Sequence, residues 1–252
     1  MYNIGDYVTR NSYNNDIVFK IIDINGDIYY LKGVYIRLYA DCYKDDLVLC
    51  DNESEDSFTP SIDEYRNLNR NEYFYLPGRV LHLDGDKDYL DKCMSFYKKN
   101  KVKAYGLYLK ENDMPSQVVT LLKKYTPDIL VLTGHDSFSR NRRDNYKNTS
   151  NFVESVIEAR KFEKAHEKLF IVAGACQSNY EDLIKAGANF ASSPKRINIH
   201  ALDPAIVASC LSFSNKNVDI DIIKILEKTK YGASGMGGII TKGSMYIGYP
   251  RW

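Results

Sequence analysis

Two short segments of this 252-residue chain each end an apolar run in a small-residue turn and then present one reactive side chain. The first is Asp128-Ile-Leu-Val-Leu-Thr-Gly-His135-Asp136-Ser137, and the second is Leu169-Phe-Ile-Val-Ala-Gly-Ala-Cys176-Gln177-Ser178. A thiol and an imidazole are the pair a cysteine hydrolase needs, one as thiolate nucleophile and the other as proton donor and acceptor. Short apolar runs bounded by turn residues read as buried strands, and parallel α/β sheets carry their chemistry at the carboxyl ends of strands. His135 and Cys176 are therefore expected on one edge of one sheet. Gly174 and Ala175 let the chain turn sharply, and a helix expected soon after Ser178 would favour the thiolate through its dipole and open N–H groups. A free cysteine is more often packed as a small hydrophobe. That reading is adopted for Cys42, Cys50, Cys93 and Cys210, which lie in or beside element patterns.

Other ionisable groups fall near the same edge. Asp84 and Asp86 follow the strand pattern Val80-Leu-His-Leu-Asp, where they are expected to hold an imidazole, meet a basic substrate side chain or cap a helix. Asp136 joins them as a third candidate for substrate binding. His200, after Ile197-Asn-Ile, and His82 are weaker candidates for a functional imidazole, and His166 is placed on a solvated Lys/Glu-rich helix. No metal or cofactor is expected, since the histidines lack HExxH-type spacing and the cysteines lack CxxC spacing. Between His135 and the next helix pattern lies a polar loop holding Arg140, Arg142 and Arg143, read as solvated surface, anion-binding loop or processing site.

The elements that must position these groups show in the rhythm of the chain. Residues 1–50 read as short strands separated by Asn/Asp/Gly turns, with a hairpin signal at Asn25-Gly26-Asp27, and are expected to form a small SH3-like β-barrel. Residues 51–76 begin polar and acidic and are read as a linker. Residues 77–252 alternate strands at 80–84, 103–109, 128–133, 169–173 and 188–192 with helices at 87–100, 115–125, 150–166 and 180–186. Further helices are expected at 203–213 and 218–228, with a hairpin in the tail from Gly237. The class is α/β, a mostly parallel sheet of caspase-like or Rossmann-like type with flanking helices.

Composition excludes several classes. Lys+Arg number 34 against 33 Asp+Glu, so no global field favours nucleic acid or an anionic membrane surface. No apolar stretch approaches the ~20 residues of a membrane span. The N-terminus lacks a signal-peptide pattern. Five cysteines, an odd number, argue against a disulfide framework and for a reducing compartment. The 21 tyrosines are scattered through mixed-charge segments and read as amphipathic packing.

A histidine after one apolar block and Ala-Cys after a later one resembles the caspase–gingipain–clostripain group of cysteine peptidases. Here the separation is 41 positions, from 135 to 176, against roughly 50 for the caspase signature. The chain departs from that group at Asp136, where those enzymes have glycine. A resemblance over nearly the whole chain is to the YabG family of sporulation-specific peptidases of spore-forming Firmicutes. It rests on Gly5-Asp-Tyr-Val-Thr-Arg, Ser12-Tyr13, Asp16-Ile-Val-Phe, the Gly-His-Asp-Ser block and the Gly-Ala-Cys-Gln-Ser block. The resemblance implies an endopeptidase of the mother cell that trims spore coat and germination proteins after arginine. It also raises Arg140, Arg142 and Arg143 as self-cleavage positions.

The mechanism expected has Cys176 forming a thioester while His135 protonates the leaving amine. The oxyanion would be held by the N–H of Cys176 and a second N–H near Gly134. Two rival readings stay open: a glutaminase or amidase using Cys176 with His200, and a non-enzymatic scaffold that binds coat proteins.

Overall fold

The computed structural model describes residues 2–50, 56, 58–138 and 146–251. The chain divides into two compact units, Met1–Thr59 and Pro60–Trp252.

In the first unit, strands β1 (Tyr7–Arg10), β2 (Phe19–Asn25), β3 (Ile28–Gly33), β4 (Tyr39–Tyr43) and β5 (Leu47–Leu49) form one antiparallel sheet of order β4-β3-β2-β1-β5. Alternation turns Phe19, Ile21, Tyr29 and Leu31 to a common core with Val8 and Leu47. The expected turn is present: Asn25 pairs with Ile28 across Gly26-Asp27, and Gly26 takes a φ of +61°. The expected barrel is not. β4 and β5 are the edges, and among the described residues no ladder joins them into a closed barrel. Strand β1, hidden in a polar stretch, was not expected and supplies the link between β2 and β5.

The second unit opens with helix α1 (Asp63–Arg66) and strand β6 (Phe74–Leu76), both within the segment expected as a linker. A six-stranded sheet follows, with β7 (Val80–Asp84), β8 (Ala104–Tyr108), β9 (Ile129–Thr133), β10 (Phe170–Ala173), β11 (Phe190–Ser192) and β12 (Met236–Gly238) in the order β12-β11-β10-β9-β7-β8. All its pairings are parallel except that of β11 with β12. Between the strands run α2 (Lys87–Lys99), α3 (Met114–Tyr125), α4 (Thr149–Phe162) and α5 (Tyr180–Ala186). Helices α6 (Asp203–Phe213) and α7 (Ile222–Leu226) precede β12, and β13 (Tyr246–Gly248) ends the chain's regular structure.

Even and odd positions of the strands serve different layers. Leu81, Leu83, Leu130, Leu132 and Ile171 pack with Met114, Val118, Leu122, Phe152, Val156 and Leu183 from α3, α4 and α5. Burial of each such side chain contributes about 1.5–3 kcal/mol. The opposite face meets α6, every residue of which is buried, as expected of a helix that is apolar all round. The tail does not form the expected hairpin. β12 pairs with β11, and β13 pairs with β6.

Numbered from β7, the first five strands follow the order 2-1-3-4-5, whose direction reverses between β7 and β9. Doubly wound sheets open a crevice at the carboxyl ends of strands at that point. Asp84, Asp86 and His135 come from the two strands that flank it, and Cys176 from the next.

Candidate active site

His135 leaves the end of β9 and Cys176 the end of β10, neighbouring parallel strands in which Leu132 pairs with Ala173. The loops that carry them are bonded to each other. Ser178 Oγ donates to Asp136 Oδ2 at 2.8 Å, and the Phe138 N–H donates to Gln177 Oε1 at 3.1 Å. The Asn179 N–H adds a third link, to Thr149 Oγ1 at the start of α4. The structure thus brings the two loops together, as the strand-end positions predict.

The histidine is held by carboxylates. Its Nε2 lies 2.7 Å from Asp86 Oδ2, while the other oxygen of Asp86 caps α2 by accepting the Asp88 and Tyr89 N–H groups. One aspartate therefore fills two of the three roles that its position allowed. A carboxylate on Nε2 fixes the neutral ring as the Nε2–H tautomer and puts the lone pair on Nδ1. The Tyr89 ring lies against the imidazole, with centroids 5.6 Å apart. From above, the His135 N–H donates to Glu111 Oε1 at 2.8 Å.

Glu111 is the site residue that sequence reading missed. It sits in the short turn after β8, within a polar Lys-Glu-Asn-Asp run that resembles any solvated loop. Its carboxylate lies over Gly85 and Gly134, and a Cβ at either glycine would collide with it. A glycine one residue past the end of both β7 and β9 was the available signal that something crosses there. Glu111 is partly exposed at the crevice.

The three carboxylates expected to bind substrate are turned inward. Asp84 is fully buried, accepts the Asp86 N–H at 3.0 Å and faces His82 Nε2 at 3.5 Å. Asp86 is occupied as described. Asp136 is 7 % exposed and collects five donors: the N–H groups of Ser137, Lys147 and Asn148 on Oδ1, and the hydroxyls of Thr149 and Ser178 on Oδ2. An aspartate can do at this position what a glycine cannot, by bolting the histidine loop to the cysteine loop and to the start of α4.

Cys176 is wrapped rather than displayed. It is 1 % exposed, and its sulfur accepts the Ile199 N–H at 3.2 Å. Gln177, at φ +57°, sends its N–H to Ile197 O and Ser193 Oγ, and Ser193 Oγ in turn donates to Ile197 O at 2.7 Å. Helix α5 starts only at Tyr180, so the sulfur's nearby donor is a loop N–H instead of the expected first turn of a helix. The thiol in turn donates to Ile199 O at 3.8 Å, so both backbone groups of Ile199 close over it.

Of the remaining candidates, His200 follows Ile199 directly but is buried, with Nδ1 accepting the Leu202 N–H at 3.1 Å. His82 lies in the middle of β7, not near its end, and is fully buried, with Nδ1 3.0 Å from Tyr97 Oη. Cys210 is buried in α6, and burial pushes its thiol far above the ordinary range. Near the cysteine loop, Arg196 bonds Glu181 and holds its carboxyl below the usual range. Arg140, Arg142 and Arg143 lie outside the described residues. The chain enters and leaves that segment through Phe138 and Tyr146, which form a bridge with ring centroids 5.3 Å apart. No helix of the described residues is long and apolar enough to cross a membrane.

Comparison with known proteins adds an independent line. The family model described as YabG peptidase U57 matches residues 3–250. The Sporulation-specific protease YabG of Bacillus subtilis (strain 168) is 39 % identical over a 284-residue alignment that covers 99 % of this chain and 98 % of that protein. No solved structure matches the chain.

Proposed function

The chain belongs to the YabG peptidase U57 family and is a peptidase; from that premise we propose that it is a cysteine endopeptidase using Cys176 and His135. The observation that carries the reading is the clasp of His135 by Asp86 on a loop bonded directly to the cysteine loop. In the reaction, the Cys176 thiol passes its proton to the lone pair on His135 Nδ1, and the thiolate attacks the scissile carbonyl and forms a thioester. His135 gives a proton to the departing amine and later takes one from the attacking water. The N–H of Cys176 and one near Gly134 hold the oxyanion, and each such donor is worth about 3 kcal/mol. The caspase-like arrangement, histidine from one strand end and cysteine from the next, agrees with the strand order. Entry of substrate requires segment 193–199 to draw back from the sulfur.

The substrates proposed are spore coat and germination proteins, cleaved after arginine in the mother cell of a sporulating bacterium. Since Asp84, Asp86 and Asp136 are committed internally, the partly exposed Glu111 is the carboxylate placed to meet a guanidinium. Self-processing at Arg140, Arg142 or Arg143 is part of the proposal, supported by the closeness of Phe138 to Gln177. A second reading pairs Cys176 with His200, because the Ile199 N–H that meets the sulfur precedes that histidine. The bond from Leu202 to its Nδ1 weakens it. The test is cleavage of an arginine-containing coat protein by folded variants. Cys176→Ala and His135→Ala should each abolish cleavage, His200→Ala should retain it, and the cut sites should follow arginine. Activity in the His135 variant that is lost in the His200 variant would reverse the assignment.

A further inference from the structure

Beneath the active edge, on the α2/α6 face of the sheet, lies a second group of reactive side chains that the peptidase chemistry does not use. His82 and Asp84 alternate on β7 and so point to the same face, and Cys93 meets them from α2. All three are fully buried. One ligand atom from each, a ring nitrogen, a carboxylate oxygen and the sulfur, lies within 4.8 Å of the others.

We propose that His82, Asp84 and Cys93 form a structural binding site for a divalent transition metal of the zinc type. The separations fit shared coordination of one ion. His82 Nε2 and Asp84 Oδ2 stand 3.5 Å apart, long for a hydrogen bond between buried partners. Two ligands on one tetrahedral zinc at ~2.0–2.2 Å are about 3.4 Å apart. The other atoms of both residues are already placed as a ligand's would be. His82 Nδ1 is 3.0 Å from Tyr97 Oη, the kind of outer contact that fixes a metal-binding imidazole. Asp84 Oδ1 takes the Asp86 N–H, and Oδ2 is the oxygen turned toward His82 Nε2. The Cys93 sulfur, now 3.3 Å from the Ala201 carbonyl, needs only a side-chain adjustment to complete the set.

Charge and an orphaned hydroxyl point the same way. A thiolate and a carboxylate together neutralise a divalent ion, so the filled site is neutral in a region where an unpaired charge would be costly. Binding transfers the Cys93 proton to solvent, along with any proton on Asp84. Thr133 stands beside Asp84 in the β7–β9 register, which puts it on the same face, and its buried Oγ1 has no hydrogen-bond partner among the described residues. A water in the fourth coordination position would give it one. The site would brace the Asp84-Gly85-Asp86 turn, and through Asp86 the ring of His135.

The test uses the whole chain expressed in minimal medium supplied with zinc, or with cobalt(II) in its place, followed by elemental analysis and absorption spectroscopy. We expect about one ion per chain. The cobalt form should show a thiolate-to-metal charge-transfer band that disappears in Cys93→Ser and persists in Cys176→Ser. His82→Gln should lose the ion as well, with folding of each variant checked by circular dichroism. A wild-type chain that holds only a small fraction of an ion with either metal would overturn the proposal. So would a charge-transfer band that follows Cys176 instead of Cys93.

Discussion

The histidine loop and the cysteine loop grow from adjacent strands, yet they are held in opposite ways. The His135 side chain keeps 15 % of its surface exposed, gripped at the ring by Asp86 and at the backbone by Glu111. Cys176 is 1 % exposed beneath segment 193–199, and its sulfur meets a backbone N–H. The histidine half is thus open to solvent, while the cysteine half is sheltered. A thiol that is covered until substrate moves a loop is protected from oxidation and from idle cleavage. The contrast also explains Asp136. Two loops held so differently stay in register through something fixed that joins them, and Asp136 with its five donors is that joint.

The comparison can be broken or sharpened by substitution. The largest effect is expected at the histidine grip. Asp86→Asn keeps a good helix cap but removes the charge that fixes the ring. It should lower kcat/KM about 10²–10⁴-fold, the range of acid–base assistance, with little change in stability. Steady-state kinetics beside thermal unfolding separates the two, and unchanged kinetics would show that the grip does not matter. Next comes the joint. Asp136→Asn cannot satisfy five donors, and should cost about 3 kcal/mol of folding stability, read as a shifted denaturant midpoint. A shift below ~0.5 kcal/mol, the range of ordinary surface changes, would rule out its bridging role. The smallest effect concerns the shelter. Ser193→Ala removes a hydroxyl that ties Gln177 to Ile197. Alkylation of Cys176 by iodoacetamide should then rise about fivefold, the equivalent of one hydrogen bond of ~1 kcal/mol. An unchanged labelling rate would place the gate elsewhere.

Much of this architecture is legible in the residues because the signals are local. The run Val80–Asp84 and the helix at 203–213 are read correctly, since apolar periodicity and the tolerance of proline in a first helical turn act within a few residues. The two strand-end turns give His135 and Cys176 for the same reason. What escapes is non-local. The glycines from Gly237 onward suggest a hairpin, but β12 and β13 pair with β11 and β6, far away in sequence. The N-terminal strands after β1 are legible one by one, whereas whether the two edges meet depends on twist and bulges such as the one between Ile21 and Asp23. Glu111 is invisible for a similar reason: its role comes from crossing Gly85 and Gly134, a contact made only once three strand ends are side by side. Asp84, Asp86 and Asp136 are located correctly near the edge, but sequence cannot show that internal donors reach them first.

The central claim is that Cys176 is the nucleophile and that His135 activates the site around it. A peptidyl-arginine chloromethyl ketone, an electrophile that alkylates an active-site residue after binding as substrate, tests this directly when the labelled chain is mapped by mass spectrometry. The account predicts a single stoichiometric adduct on Cys176, formed in step with loss of activity and greatly slowed in Asp86→Asn. An adduct on any other residue accompanying complete inactivation, or full activity after Cys176 is alkylated, would contradict it.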